Sequence, residues 1–204
     1  MLPFAYFDLG NVLVKFSVAR MCRQLSAVCG ADEDHVHAVL YDHHLEADYE
    51  SGRIDRQAFF DRFCELTGTT AACDRLEMAA ADIFSLNVEV VPLVAGLYRA
   101  GYRLGILSNT SPTHWEHCRR RFRMLDELFS VHALSYQIGV MKPHPDIYRR
   151  AVELAGVEPG QTFFVDDTAG HVEGAKAAGF EAMLFTGAAD LARELRRRGL
   201  AFNG

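Results

Sequence analysis

No apolar run in this chain approaches the roughly 20 residues that a membrane-spanning helix needs. The N-terminus also lacks a positively charged segment followed by a longer apolar one, so nothing there reads as a secretory leader. The cysteines, Cys22, Cys29, Cys64, Cys73 and Cys118, are odd in number and form no CxxC pair. That argues against a disulfide framework and a zinc site, and it fits reduced thiols in a cytoplasmic protein. Positive charge is not in excess: the net charge of -6 disfavours general affinity for nucleic acid or membrane surfaces. The basic runs Arg119–Arg121 and Arg196–Arg198 fall late in expected helices, where solvent and the helix dipole account for them. Internal repeats and low-complexity segments are missing too, and no feature specifies an oligomeric state. What remains is an ordinary soluble composition, 50% hydrophobic and 24% charged. Its 204 residues suffice for one α/β domain with a smaller insertion, but not for two full-sized domains.

The first structural signal is Phe4-Ala5-Tyr6-Phe7-Asp8-Leu9-Gly10, an apolar run that ends on one carboxylate and then a glycine. A buried parallel strand has this pattern, and its C-terminal end is where open α/β sheets bind ligands. From about Ser17 to Phe84 only amphipathic helices are expected, over Val18–Cys29, Asp32–Leu40, a segment capped by Asp55 and carrying Phe59, Phe60, Phe63 and Leu66, and roughly Ala71–Phe84. From Val88 onward strands and helices alternate. Strands are expected at Tyr102–Leu107, Val131–Leu134, Thr162–Val165 and Ala182–Phe185, with helices between them and after the last. This alternation implies an α/β fold, a Rossmann-like doubly wound parallel sheet, with the helical block inserted after the first strand.

Several strand ends carry polar groups: Asp8, Ser108-Asn109, Lys142 in the loop after the third strand, and Asp166-Asp167. A parallel sheet brings all of them to one edge. Carboxylate oxygens suit Mg²⁺, which is held by a few protein ligands plus water and substrate phosphate. Two adjacent aspartates repel unless a cation sits between them, which favours metal over a simple helix-cap pair. Lys142 can neutralise a phosphoryl group and its nucleophile, Ser108 and Asn109 can donate to phosphoryl oxygens, and Asp8 can attack phosphorus in line.

With these residues the chain resembles the haloacid dehalogenase superfamily in its phosphatase branch. Asp8-Leu9-Gly10-Asn11-Val12 matches the first motif and Leu107-Ser108-Asn109-Thr110 the second. Gly139-Val140-Met141-Lys142-Pro143 matches the third and Phe164-Val165-Asp166-Asp167-Thr168 the fourth. The Phe-Asp-Leu-Gly-Asn-Val start is similar to that of a subgroup of sugar-phosphate phosphatases, the α-D-glucose-1-phosphate phosphatases. The resemblance implies a core of residues 1–16 and 86–204 with a helical cap over 17–85. It implies Asp8 as nucleophile and metal ligand, and the Gly10 carbonyl and Asp167 as further ligands of Mg²⁺, with Asp166 reaching the ion through water. Ser108, Asn109 and Lys142, together with Leu9 and Gly10, correspond to phosphate-binding positions. Thr168 is expected to cap the following helix. The implied substrate is a small phosphorylated metabolite.

Gly10 departs from the pattern. Most phosphatases of the superfamily carry a second aspartate there, which protonates the leaving oxygen and then activates water. General acid–base assistance is worth ~10²–10⁴-fold, so its absence should slow poor leaving groups. His43 and His44 are the candidates to read the substrate or supply that proton, with Tyr49, Tyr41 and Glu46 as further specificity positions; Trp115 reads as core. Two alternatives stand beside the phosphatase. One is a 2-haloacid dehalogenase, against which Asp166-Asp167 weigh. The other is a weakly active phosphate-binding regulatory protein.

Overall fold

The computed structural model describes residues 4–200. The outermost residues of the expected core, 1–3 and 201–204, lie outside that range. Five parallel strands form the central sheet in the order β5-β4-β1-β6-β7, from β1 (Phe4–Phe7), β4 (Arg103–Ser108), β5 (Val131–Leu134), β6 (Thr162–Asp166) and β7 (Glu181–Leu184). The remaining two, β2 (Val14–Phe16) and β3 (Phe84–Leu86), make a separate antiparallel ribbon.

β1 lies at the centre because all four of its residues are apolar and buried, which suits a strand covered on both faces. Phe4 and Tyr6 pack with Ile147, Tyr148 and Phe164 on one side, while Ala5 and Phe7 join the other cluster with Ile106, Phe163 and Val165. Residue alternation along the strand therefore assigns each side chain to a layer. A Cβ on Gly105 would come within 2.5 Å of the Tyr6 ring, so β4 needs glycine there to lie against β1.

The helical block runs from Val18–Cys29 to Cys73–Ala81, and its buried Met21, Leu25, Phe60 and Phe63 are continuous with the core beneath. Asp55 caps its helix as the sequence implies, and Ser111 caps another. Asp55 accepts from the Ala58 N–H and Ser111 from the His114 N–H, opening helices Arg56–Thr67 and Pro112–Arg121. Three features differ from expectation. The ribbon β2–β3 joins the block to the sheet at both of its ends, where only helix was expected up to Phe84. The expected helix Asp32–Leu40 ends at His37 and continues as a π-helical turn, Ala38–Asp42. A further short helix, Leu45–Glu50, follows a left-handed His44. Each piece is three to six residues long, too short to show a period of its own.

No helix among the described residues is long and apolar enough to cross a membrane. All five cysteines are free.

Candidate active site

The C-terminal ends of β1, β4 and β6 converge on Lys142. Its ammonium is buried and donates to Asp8 Oδ1 at 2.7 Å, Asp166 Oδ2 at 2.6 Å and the Leu107 carbonyl at 2.9 Å. Three acceptors use its three protons, so the cation is fully paired in the interior. Burial alone would depress its pKa, but the flanking carboxylates raise it above the ordinary lysine value.

Asp8 responds in the opposite sense. Burial pushes its carboxyl up to about 6, Lys142 opposes the shift, and Asp166 and Asp167 add to it. For Asp166, burial is outweighed by hydrogen bonds from His171, Lys142 and the Thr168 N–H, and the group stays below the ordinary aspartate value. Asp166 Oδ1 accepts from the Thr168 N–H at 2.8 Å and lies 3.1 Å from His171 Nδ1. The Thr168 side chain makes no cap at the helix Ala169–Ala177, contrary to expectation; Asp166 fixes the backbone of Thr168 just ahead of it.

Carboxylate oxygens of Asp8, Asp166 and Asp167 lie within 4.8 Å of one another. An all-oxygen donor set of this kind fits a hard divalent cation. Asp166 already spends both oxygens on Lys142, Thr168 and His171, which leaves Asp8 and Asp167 as the freer pair. Asn11 holds Asp167 in place through Nδ2 at 2.9 Å, and does so from a left-handed backbone (φ 55°) that asparagine tolerates. The Gly10 carbonyl accepts from the Val12 N–H at 2.7 Å and keeps a second lone pair.

Ser108 is buried beside this cluster. Asn109, expected at a phosphate-binding position, engages its side chain with the loop of Lys142. Its Oδ1 accepts from the Lys142 N–H at 2.7 Å and its Nδ2 donates to the Lys142 carbonyl at 3.0 Å. The amide thus clamps the loop that delivers the lysine. Asn109→Ala is expected to lower stability by about 1–3 kcal/mol, the range for losing two such bonds, measured by urea unfolding.

A cavity of about 280 Å³ opens from Leu9, Gly10, Ser108, Asn109 and Thr110 toward the helical block. Its far wall comprises Tyr41, Glu46, Glu50 and His114 among apolar side chains such as Met21 and Phe84. Phe16 crowds Gly10 from the ribbon: a Cβ at this position would lie 3.0 Å from the Phe16 ring.

Of the expected specificity positions, Tyr41 and Glu46 line this cavity. His43 and His44 do not; they lie exposed on the turn before helix Leu45–Glu50. Tyr49 is corrected as well: it is buried, stacked on Phe59 at 4.5 Å, with its hydroxyl on Thr113 Oγ1 at 2.9 Å. Trp115 is core, as expected.

Glu50, His114, His171 and Asn11 escaped the sequence reading. Glu46 and Glu50 stand four apart on one helix, a spacing that puts them on one face. The same spacing describes countless solvated surfaces, so it did not single out Glu50 beside Glu46. Burial pushes Glu46 up to about 8, with Glu50 adding to the rise. Burial likewise pushes Glu50 up to about 7, with Asp8 adding and Lys142 opposing. Burial lowers His114 to about 4, opposed by a hydrogen bond that its ring donates to the Ala80 backbone.

The family profile described as haloacid dehalogenase-like hydrolase matches residues 5–179. A D-ribitol-5-phosphate phosphatase of Bacteroides thetaiotaomicron is 26% identical, over 93% of this chain and 94% of its own. A HAD-like family hydrolase of Porphyromonas gingivalis superposes with a TM-score of 0.82 at 26% identity, over 96% of this chain and 98% of that one. The fold is also that of a HAD family enzyme of Bacteroides thetaiotaomicron in complex with magnesium and inorganic phosphate, with a TM-score of 0.81 at 23% identity, over 90% and 94% of the two chains.

Proposed function

The chain belongs to the haloacid dehalogenase-like hydrolase family, and from that premise we propose that it is a Mg²⁺-dependent phosphatase of a small phosphometabolite acting through an aspartyl-phosphate on Asp8. The observation that carries this reading is the convergence of Asp8, Asp166 and Asp167 around the paired ammonium of Lys142. Asp166 and Asp167 weigh against the dehalogenase alternative. The cavity, about 280 Å³, lies at the small end of ligand pockets, which suits a phosphate on a short carbon skeleton better than a nucleotide. The D-ribitol-5-phosphate phosphatase relative supports a sugar or polyol phosphate.

In this reading residues 17–85 act as a cap over a core of 1–16 and 86–204. Asp8 attacks phosphorus, the ester P–O bond breaks, and water then cleaves the aspartyl-phosphate. Lys142 neutralises Asp8 and the phosphoryl oxygens, and Ser108 with the backbone at Leu9 and Gly10 lines the phosphate position. Asp8, Asp167 and the Gly10 carbonyl would hold the cation, with Asp166 behind them; when bound, it supplies charge stabilisation for the phosphoryl oxygens. Its identity as Mg²⁺ follows the oxygen-only donors.

The test is phosphate release from 4-nitrophenyl phosphate and from a panel of pentose, pentitol and hexose phosphates. Activity is expected to need Mg²⁺, to vanish with EDTA and to return when Mg²⁺ is restored. A rate indifferent to EDTA would sink the proposal.

A further inference from the structure

The proton that Gly10 cannot supply needs another carrier, and the cavity holds few candidates. Among the described residues lining it, the groups able to exchange a proton are Tyr41, Glu46, Glu50 and His114. Burial and the two glutamates hold Tyr41 far above the neutral range. His114 is held as the neutral imidazole, so it has no acidic proton to give a leaving alkoxide near pH 7. Glu46 and Glu50 remain. Their carboxylates meet within 4.8 Å of each other and of the His114 ring, and Glu46 Oε1 is buried with no hydrogen-bond partner. Of the two, Glu50 feels Asp8 and Lys142, whereas Glu46 feels only Glu50. Glu50, which also lines the cavity that reaches Leu9 and Gly10 beside Asp8, is thus the carboxyl of the pair coupled to the core.

The direction of approach matters as much. In-line attack by Asp8 sends the leaving oxygen away from the sheet, toward the helical block. Helix Leu45–Glu50 meets it there, and it is tied down rather than free. Ser135 Oγ donates to the Glu50 carbonyl, the Tyr49 hydroxyl pairs with Thr113, and Gly52 packs so closely on Tyr136 that a Cβ would lie 2.4 Å from its carbonyl oxygen. Ser135 also receives the Thr110 N–H, so one hydroxyl joins the Ser108–Thr110 loop to Glu50.

We propose that Glu50 is the general acid and base of the reaction, replacing the aspartate absent at Gly10, with Glu46 as the positioning residue that shares its proton. The inference rests on the phosphatase reading. As the P–O bond breaks, its electron pair goes to the leaving oxygen, which takes the Glu50 proton to give the alcohol and the Glu50 carboxylate. That carboxylate then takes a proton from the water that attacks the aspartyl-phosphate, and Asp8 and protonated Glu50 are regenerated. The buried Glu46 and the half-buried Glu50, which would otherwise both be charged, retain a proton near neutral pH, and its titration belongs to the pair. The groups facing Glu50 are Glu46 on its own helix, Tyr41 on the π-turn, His114 on helix Pro112–Arg121, and Asp8 and Lys142 on the core.

The test compares an alkyl phosphate, whose alkoxide needs a proton, with 2,4-dinitrophenyl phosphate, whose phenolate leaves without one. In single-turnover experiments with Mg²⁺, Glu50→Gln is expected to slow alcohol release about 10²–10⁴-fold. The dinitrophenolate burst should fall by less than about 10-fold, with aspartyl-phosphate then accumulating because its hydrolysis lacks the base. Adding Gly10→Asp to Glu50→Gln should restore the alkyl rate, since only the side-chain end of Phe16 must shift to admit it. Equal losses on both esters, or none on the alkyl ester, would overturn the assignment. So would a second divalent-cation equivalent, detected by Mn²⁺ titration of the wild type and absent in Glu50→Gln, because Glu46, Glu50 and His114 would then be cation ligands. A wild type inactive on both esters would instead fell the phosphatase reading, and this inference with it.

Discussion

Asp8→Asn is expected to lower phosphate release by about 10⁴–10⁶-fold, the scale on which removing the nucleophile of a covalent mechanism acts. The fold should survive, because asparagine keeps an oxygen for the 2.7 Å contact with Lys142, and Lys142 retains Asp166 and the Leu107 carbonyl. The sign on stability follows from the raised Asp8 pKa. A carboxyl held at about 6 in the fold favours folding while protonated, and that contribution fades as pH rises from the unfolded value of 3.8 through 6. Asparagine does not ionise, so with EDTA present the variant should be at least as stable as the wild type above pH 6. Urea unfolding at pH 5 and 8 measures this, and trapped acyl-phosphate should be absent from the variant at both. Residual turnover above a thousandth of wild type would show that Asp8 is not the nucleophile.

Much of the polar cluster at the sheet edge was legible for a local reason. A buried strand such as Phe4–Phe7 has a continuous apolar run, and the first polar residue after it marks the sheet edge. The same reading located Ser108, Asp166 and the loop of Lys142. The opposite wall was not legible, because which face of a short helix turns inward depends on docking rather than on its own pattern. His43 and His44 look chemically apt in the sequence, yet the left-handed backbone at His44 leaves both outside the cavity, and Glu46 and Glu50 enter from the next six residues. The ribbon of Val14–Phe16 with Phe84–Leu86 escaped notice for a related reason. Three residues cannot display alternation, and the partners are joined only by a register across the whole helical block. Phe16 also carries part of the meaning of Gly10: the volume released by the missing aspartate side chain is bounded by an aromatic ring from that ribbon.

Lys142→Met should be the most damaging single substitution, and it should damage stability and activity together. Methionine roughly matches the stem but leaves two buried carboxylates and the Leu107 carbonyl facing no donor. Breaking a buried ion pair from one side costs about 3–5 kcal/mol, far more than the pair's net contribution, because an uncompensated charge remains inside. The dependence on pH separates this from ordinary repacking. In the wild type Asp166 is held below its ordinary value, so its ionised form stabilises the fold at neutral pH and that contribution is lost as pH falls. Without the lysine both carboxyls should titrate higher, so between pH 6 and pH 4 the variant gains more stability on acidification than the wild type, in which Asp8 alone is raised and Asp166 is held low. With EDTA present, the gap between the two unfolding midpoints should therefore be widest above pH 6 and narrow steadily toward pH 4. Saturating Mg²⁺ should also narrow it at neutral pH, since a cation between Asp8 and Asp167 relieves the same repulsion. Activity should not recover with stability under either condition, because the phosphoryl oxygens still lack their cationic partner. A gap that is flat with pH would mean that Lys142 contributes packing rather than charge, and that the carboxylate cluster does not depend on it.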